Sequence, residues 1–402
     1  MIARRTRRSR SIARITATVS ATALALGLAA HAPAALAQED ASVPFEIETV
    51  AEGFDHAWGM AFLPNENYML VTERAGRLKL VDRESGDVEE ISGVPDVHAE
   101  NQGGLLDVTL HPNFEEEPWV YLTWAGTNDE GLSGTHLGRA QLDLEERALT
   151  DLEVLYVAEP FMDSDAHFGS RIVFDRDNRL FITLGDRNSK DFGPDHYSQD
   201  LSVDYGSTLR FEADGSIPAD NPFVDDPDAR DAIYSYGHRN SQGMAMHPET
   251  GEIWQNEHGE NNGDEINVIQ AGGNFGWPIA TYGHDYQTGE QFAPTPPEVP
   301  ETIDPVHHWG QDDPEGFPPS GFVFYDGDAF PEWRGNAFMG ALWPEYLGRF
   351  TIDGHDVEFA ERLLDGQGWR IRDVAVGPDN GFIYLLIDDE DMPLVRLRPA
   401  DG

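Results

Sequence analysis

Beyond its N-terminal segment, the chain shows short runs of alternating hydrophobic and polar residues, without the helical period of about 3.6 residues. The runs are rich in Val, Ile, Tyr, Phe and Trp, and residues typical of turns separate them. Examples are Tyr68–Thr72, Leu78–Asp82, Trp119–Trp124 and Leu180–Leu184. This pattern predicts an all-β protein.

One phrase recurs along the chain: a hydrophobic residue, a turn containing Pro, Asp or Gly, and then a β run. The six copies are Phe62–Glu73, Leu110–Trp124, Phe174–Asp186, Met246–Gly259, Phe324–Trp343 and Val376–Asp389. Their starts lie 48 to 78 residues apart, which gives each unit room for a four-stranded sheet. The repeat predicts a six-bladed β-propeller of four-stranded antiparallel sheets. Because the spacing is irregular, a pair of β-sandwiches stays open as the alternative.

Two polar segments interrupt the repeat. Asp186–Asp204 is predicted to be a loop, and Tyr286–Ser320 contains eight prolines. Loops of this length in a compact fold are usually functional or disordered. We expect the second segment to form a flap over one face of the ring.

The first 37 residues have the pattern of a secretory signal. Met1–Arg14 carries six arginines and no acidic residue, and Ile15–Ala30 is small and apolar. The tripeptide that ends at Ala37 fits a small-x-small cleavage site. We expect cleavage after Ala37, export to the periplasm or cell exterior, and one propeller domain over residues 38–402. A short membrane anchor is the alternative, although the apolar run is short for a span.

The chain is strongly acidic, with 27 basic and 73 acidic side chains and a net charge of −46 at pH 7. Nucleic acid and anionic membranes attract basic surfaces, so neither is expected as a partner, nor is stable membrane insertion. Only Lys79 and Lys190 are lysines, and a surface rich in Asp and Glu predicts a salty habitat. The chain has no cysteine, which excludes disulfides and thiolate metal sites.

The segment Gly237–Pro278 places many polar groups beside many glycines. Asp, Glu and carbonyl oxygens are the ligands that calcium prefers, and glycines let the backbone approach a ligand closely. Arg239 presents a planar fork for a carboxylate or another anionic oxygen. The segment therefore indicates a site for an anionic ligand with a cation nearby. An acidic surface loop stays open as the alternative.

Further positions carry candidate chemistry. His167 follows acidic residues and precedes a strand, so it is a candidate general base, although a lone His is more often structural. Gln102 lies beside two glycines, which alone indicates only a turn. Arg370 and Arg372 alternate along a predicted strand, so both side chains would point the same way and need an anion between them.

Together these segments resemble the pyrroloquinoline-quinone-dependent soluble aldose sugar dehydrogenases, the glucose/sorbosone dehydrogenase family. The resemblance rests on GHRN, EHG, GDEIN and GGNFGWP within Gly237–Pro278 and extends over nearly the whole mature chain. Other matching motifs are NQGGLLDVTLHPNF from Asn101, HFGSRIVFDRDNRLFITLGD from His167 and RIRDVAVGPDNGFIYLL from Arg370. Each motif alone is weak, but their shared order and spacing are specific. The family is a six-bladed propeller, in agreement with the six copies of the repeat.

The resemblance implies a role for each matching position. His167 would take the proton of the sugar's anomeric hydroxyl, Arg239 would polarise the quinone oxygen, and Asp186 would orient such an arginine. The other positions implied to bind the quinone are Gln102, Asn240, Tyr286, Trp309, Arg370 and Arg372. The positions implied to hold calcium are the carbonyls of Gly259 and Glu260 at the cofactor, and Glu265 with the Phe275 carbonyl at a structural site.

The chain departs from the family's pattern at three places. Trp343, in Leu342-Trp343-Pro344, stands where relatives carry a lysine near the cofactor. His258 stands where some relatives have Gln, and Ala166 stands where some have an acid, with Asp165 one residue earlier. None of these changes removes a catalytic role.

We therefore expect a periplasmic quinoprotein dehydrogenase that oxidises aldoses to lactones, with pyrroloquinoline quinone and Ca²⁺ as cofactors. A calcium-dependent propeller hydrolase, such as a lactonase, stays open, but it would not need the paired arginines. A binding propeller without catalysis is the third class. No motif identifies the preferred sugar, the electron acceptor or the oligomeric state.

Overall fold

The computed structural model describes residues 36–38, 41–64, 67–310 and 316–400. The predicted signal segment, residues 1–37, lies almost entirely outside these ranges and stays a prediction. Within these ranges, no helix is long and apolar enough to cross a membrane.

Twenty-five strands lie in the described residues and are numbered here in chain order. They are β1 (Leu36–Gln38), β2 (Phe45–Phe54), β3 (Ala57–Phe62), β4 (Tyr68–Glu73), β5 (Arg77–Asp82), β6 (Val88–Ile91), β7 (Leu105–Leu110), β8 (Trp119–Thr127), β9 (Ser133–Asp143), β10 (Ala148–Val157), β11 (Ile172–Phe174), β12 (Arg179–Leu184), β13 (Ser207–Glu212), β14 (Ile233–Tyr236), β15 (Ser241–Met246), β16 (Ile253–Glu257), β17 (Glu265–Val268), β18 (His307–His308), β19 (Pro319–Phe324), β20 (Ala337–Ala341), β21 (Leu347–Asp353), β22 (Asp356–Leu363), β23 (Ile371–Val376), β24 (Ile383–Ile387) and β25 (Met392–Pro399). The same residues contain three 3-10 helices, Tyr197–Gln199, Pro296–Glu298 and Pro331–Trp333.

The strands form six antiparallel sheets, which are the blades of a six-bladed β-propeller. In blades 1 to 5 the four strands follow one another in sequence, as β3–β6, β7–β10, β11–β14, β15–β18 and β19–β22. Blade 6 joins β23, β24 and β25 to β2, and β1 adds a short fifth strand at its edge. Because β2 pairs with β25, strands from both ends of the described chain close the ring. The predicted all-β six-bladed fold is confirmed, and the fifth strand of blade 6 is the difference.

Each copy of the sequence repeat begins at the last residue of a blade's first strand. These first strands, β3, β7, β11, β15, β19 and β23, contact one another successively around the ring. A side chain closes the turn that follows. In blade 3, Asp175 Oδ1 accepts the amides of Asp177 at 2.9 Å and Arg179 at 2.8 Å. The repeat is therefore the first hairpin of each blade, and its polar residues satisfy the backbone where the chain reverses.

The hydrophobic core lies between the blades. Six clusters of buried apolar side chains each join residues of two neighbouring blades. Between blades 1 and 2, for example, Leu70 and Leu80 cluster with Leu105 and Leu122. Because each blade needs both neighbours to cover its two faces, closure of the ring stabilises every sheet.

A buried ionic cluster lies where the first strands meet. Arg171 Nη1 lies 3.0 Å from Asp107 Oδ1 of blade 2 and 3.0 Å from Asp373 Oδ1 of blade 6. Asp107 Oδ2 accepts the amide of Ile172 at 2.7 Å, and Asp373 Oδ2 accepts that of Met60 at 3.0 Å. These bonds tie together blades 1, 2, 3 and 6.

The two segments that interrupt the repeat differ in structure. Residues 186–204 form the predicted loop, which contains one 3-10 helix. Residues 286–320 are only partly irregular, because β18 and the start of β19 lie within them. The irregular part of the predicted flap is therefore shorter than the sequence indicated. Its Phe292 stacks on Phe192 of the first loop, with ring centroids 4.5 Å apart.

Candidate active site

His167 lies in the segment between blades 2 and 3 and has a left-handed backbone, with φ of 51°. Few non-glycine residues adopt this conformation, and those that do are frequent at functional sites. Gly185 makes room for it, since a Cβ at that position would lie 2.3 Å from the His167 carbonyl oxygen. The His167 amide also donates to Gln102 Oε1 at 2.8 Å. The backbone of His167 is therefore fixed by its neighbours on two sides.

The imidazole of His167 forms a dyad with Asp186. Nδ1 lies 2.6 Å from Asp186 Oδ1, so the carboxylate holds the ring proton on Nδ1 and leaves Nε2 as the basic nitrogen. Trp277 Nε1 donates to the other carboxylate oxygen at 2.9 Å. Burial lowers the pKa of His167 in spite of the Asp186 charge, so the ring is neutral at pH 7. Burial alone would raise the pKa of Asp186, but its interactions with His167, Arg239 and His196 together outweigh burial and the net shift is downward.

A neutral imidazole oriented by an ionised carboxylate is the arrangement of a general base.

The second functional group is Arg239, in the crossing from blade 3 to blade 4. Its carbonyl accepts the Asp186 amide at 2.8 Å, which couples the backbone of the two residues.

The Arg239 guanidinium belongs to a chain of charges. Nη2 donates to Glu260 Oε2 at 2.6 Å, and Nη1 donates to the His258 carbonyl at 3.1 Å. Lys190 Nζ contacts both carboxylate oxygens of Glu260, at 2.9 and 2.8 Å. Arg239, Glu260 and Lys190 together therefore keep one net positive charge.

Two adjoining cavities open among these residues. The histidine cavity, of about 640 Å³, is lined by His167, Arg239 and Lys190 together with other residues. The arginine cavity, of about 510 Å³, is lined by three arginines and their neighbours. The residues that line both cavities are Gln102, His258, Pro318 and Trp343.

Three guanidinium groups converge on one carboxylate in the arginine cavity. Arg372 Nη2 lies 2.5 Å from Asp388 Oδ2, Arg370 Nη2 lies 3.8 Å from the same oxygen, and Arg74 Nη2 lies 3.7 Å from Oδ1. Burial opposes ionisation of Asp388, but Arg372, Arg74 and His56 hold its pKa well below the usual range. Asp388 and Asp389, which both line the cavity, balance only two of the three guanidiniums, so the cavity favours an anionic ligand.

Most positions implied by the resemblance lie around this cleft. Those that line one or both cavities are Gln102, His167, Arg239, Asn240, Gly259, Tyr286, Arg370 and Arg372. Asp186 lies behind the His167 ring. Trp309 lies apart from the cleft. It is buried between blades 4 and 5 and stacks on Phe317, with ring centroids 4.7 Å apart.

Glu257 and Glu265 form a buried carboxylate pair beside the histidine cavity. Asn267 Nδ2 donates to Glu257 Oε1 at 3.0 Å and to Glu265 Oε2 at 3.2 Å. Burial, and then the Glu257 charge, raises the pKa of Glu265 well above its ordinary value. Both side chains and Phe275 line a cavity of about 10 Å³, which is the size of one water or ion. The described residues contain no group of three or more His, Asp or Glu side chains arranged to hold a metal ion, so a cation here would need carbonyl ligands.

Sequence reasoning did not single out Arg74, Lys190 or Asp388 as site residues. Arg74 lies in Val71–Leu78, a further segment that resembles the family, but only ring closure brings it beside the arginines of blade 6. Asp388 begins an acidic run that has the pattern of a solvated surface. For Lys190 a signal was available, because it is one of only two lysines in the chain.

Comparison with known proteins shows what this chain resembles in sequence and in fold. A profile of the family described as Glucose / Sorbosone dehydrogenase matches residues 54–396. Aldose sugar dehydrogenase YliI of Escherichia coli (strain K12) is 40% identical over 356 residues, which cover 88% of this chain and 93% of that protein. The crystal structure of the soluble aldose sugar dehydrogenase from Escherichia coli in the apo-form gives a TM-score of 0.81 at 38% identity, with 89% and 100% of the two chains covered. The PQQ-bound form of the aldose sugar dehydrogenase from Streptomyces coelicolor gives a TM-score of 0.69 at 26% identity, with 88% and 98% covered.

Proposed function

This chain belongs to the glucose/sorbosone dehydrogenase family, and we propose that it oxidises aldoses at the anomeric carbon to lactones with pyrroloquinoline quinone as the hydride acceptor. Family membership makes it an oxidoreductase that acts on sugars. The observation that supports the finer proposal is a neutral, oriented histidine beside a cavity lined by three arginines.

The arginine cavity fits a ligand with several carboxylates, such as this quinone. Arg74 and Arg372 each have a buried Nε without a hydrogen-bond partner among the residues described. An anionic ligand would supply partners for such donors through charge-assisted hydrogen bonds. The cavity volume of about 510 Å³ also lies within the range of cofactor pockets.

His167 Nε2 would accept the proton of the anomeric hydroxyl. Asp186 keeps the other ring proton on Nδ1 and would stabilise the imidazolium that forms. As the O–H bond breaks, the C1–H bond breaks with its electron pair, and the carbonyl of the lactone forms. When bound, the quinone supplies the acceptor for that hydride.

Arg239 would stabilise negative charge that develops on the acceptor side of the reaction. A preorganised guanidinium does this best where water is largely excluded, and Arg239 is only 5% exposed. Glu260 offsets part of its charge, but Lys190 binds the same carboxylate and restores a net positive charge. These three side chains would therefore act together.

We also propose Ca²⁺ at two places. The carbonyls of Gly259 and Glu260 would hold one ion at the cofactor. The carboxylate pair of Glu257 and Glu265, with the Phe275 carbonyl, would hold the second. Both carboxylates line one cavity of the size of a single ion, and the Glu257 charge helps to raise the pKa of Glu265, so a hard cation there would relieve the repulsion between them.

The N-terminal pattern supports the further proposal that the protein is exported to the periplasm or cell exterior. The exported protein is expected to begin at Gln38. Mass spectrometry of protein secreted by an expressing cell tests this, and a retained Met1 would contradict it.

Reconstitution tests the catalytic proposal. The purified apoprotein is assayed for reduction of an artificial dye by glucose, with and without the quinone and calcium. Activity is expected only when both are supplied. Activity without the quinone, or with a nicotinamide cofactor in its place, would contradict the proposal, and lactone consumption without dye reduction would favour a hydrolase.

A further inference from the structure

Trp343 is an exposed aromatic residue at the junction of the two cavities. Its side chain lines both the histidine cavity and the arginine cavity. It is 60% exposed, although indole is one of the most apolar large side chains. A single exposed hydrophobic side chain is ordinary, but this indole borders two polar cavities, so a ligand that enters both would contact it.

The connection that carries Trp343 is held in place. It joins β20 to β21, and the Leu342 amide donates to the Pro318 carbonyl at 3.1 Å. The Leu342 carbonyl accepts Arg370 Nη1 at 3.0 Å. Tyr346, three residues after Trp343, is only 2% exposed. The backbone is therefore anchored on both sides of Trp343 while the ring stays open, so little ordering is needed when a ligand contacts it.

A bound quinone that contacts the charged residues of both cavities must extend across their junction. Its carboxylates would meet Arg370 and Arg372 in the arginine cavity, whereas His167 and Arg239 line the histidine cavity. A rigid ligand that reaches both sets lies against the residues that line both cavities. Four residues line both cavities: Gln102, His258, Pro318 and Trp343. Among them, only Trp343 presents a large exposed aromatic ring.

We propose that Trp343 is a stacking wall for the ring system of the bound quinone and holds that ring at the junction of the two cavities. This inference rests on the proposed function, since it requires the quinone to occupy both cavities. Contact between aromatic faces strengthens binding by a few-fold to about tenfold. It also fixes the plane of a ring without using hydrogen bonds, which leaves the polar groups of both cavities for the carboxylates and the reacting atoms.

Quinone titration of the calcium-loaded apoprotein tests the inference, with tryptophan fluorescence as the readout. Trp343→Ala is expected to weaken the quinone Kd about tenfold, and Trp343→Phe by no more than about threefold. Phe359→Ala is the matched control. Phe359 is an aromatic residue that is 41% exposed and lines neither cavity, so its loss should leave the quinone Kd unchanged.

The fluorescence signal can be assigned to this residue. The chain has nine tryptophans, and the quenching that disappears in Trp343→Phe belongs to Trp343. On quinone binding, the wild type is expected to lose a red-shifted component, as an exposed indole would give. Because the side chain is largely exposed, circular dichroism and thermal melting of the variants should match the wild type.

Two kinds of failure are distinguishable. If the wild type binds the quinone and Trp343→Ala binds it equally well, the stacking wall is refuted while the proposed function stands. The same conclusion follows if Trp343→Phe is as weak as Trp343→Ala, because stacking requires an aromatic ring. If the wild type shows no saturable quinone binding, the proposed function fails and the stacking wall fails with it.

Discussion

Removal of Arg171 should destabilise the whole ring. Its guanidinium lies 3.0 Å from both Asp107 and Asp373, and its Nε donates to the Gln242 carbonyl at 3.0 Å. When both carboxylates are ionised, they and the single guanidinium carry a net charge of −1. The substitution Arg171→Met keeps much of the side-chain volume but leaves two buried carboxylates without their cation.

The expected loss can be estimated from the bonds that disappear. Hydrogen bonds to charged groups contribute roughly 1.5–3 kcal/mol each, and Arg171 makes two of them to carboxylates. Removal of one partner of a buried ion pair costs roughly 3–5 kcal/mol. Both estimates place the loss in the free energy of unfolding at roughly 3–6 kcal/mol.

The loss should also depend on pH. Burial raises the pKa of Asp107 and of Asp373 in the wild type, and Arg171 opposes that rise. Without Arg171 both pKa values rise further. A carboxyl with a raised folded-state pKa binds its proton more tightly in the folded state, so its contribution to stability is present at low pH and is lost as pH rises. The substitution should therefore lower the free energy of unfolding by less at about pH 5 than at about pH 8.

Urea unfolding followed by tryptophan fluorescence, at these two pH values and constant salt, measures the effect. Arg334→Met is the control, because the Arg334 side chain is 55% exposed and its pair with Asp328 lies at the surface. That variant should lose less than about 1 kcal/mol. A loss below about 1 kcal/mol in Arg171→Met, or a loss independent of pH, would refute the electrostatic reasoning.

Three further outcomes are expected. Arg372→Ala should weaken quinone binding in a titration but leave the turnover rate at saturating quinone close to that of the wild type. The substitution removes a contact to a carboxylate of the quinone and leaves the base in place. Calcium should raise the Tm of the apoprotein in calorimetry by binding only the folded state, and Glu265→Gln should remove most of that rise; an undiminished rise would place the ion elsewhere. Transfer from molar to low salt should lower the Tm because the net charge of −46 is then less screened, and a salt-independent Tm would exclude the salty-habitat interpretation.

The fold was predictable because its signal is local and repeated. Each copy of the repeat contains the end of one strand, a turn closed by its own side chains and the next strand. Each hairpin can therefore be recognised from a short continuous segment of the sequence. The copy at Phe174–Asp186 shows this most clearly, with Asp175 closing the turn between β11 and β12. The pairing of β2 with β25 carries no comparable signal, because it joins segments more than 300 residues apart.

The site was predictable only in part. Motif resemblance led to His167 and Asp186, which are 19 residues apart in sequence and in direct contact, but it implied that Asp186 orients an arginine and not the histidine. Asp388 was missed because an acid in an acidic run gives no local sign that it will be buried among guanidiniums from blades 1 and 6. Trp309 shows the opposite case. The family resemblance implied that it contacts the cofactor, but in the structure it is buried in the apolar cluster between blades 4 and 5 and lines neither cavity of the cleft.

The most direct test of the account is the reduction of bound quinone by an aldose without any other electron acceptor. Quinone-loaded protein is mixed anaerobically with excess glucose in a stopped-flow instrument, and the absorbance of the bound quinone and the lactone formed are measured together. The account predicts one lactone per quinone in the wild type. In His167→Gln it predicts unchanged quinone affinity with a rate lower by a factor on the order of 10²–10⁴. A near-wild-type rate in His167→Gln, or no reduction of the quinone in the wild type, would contradict the account.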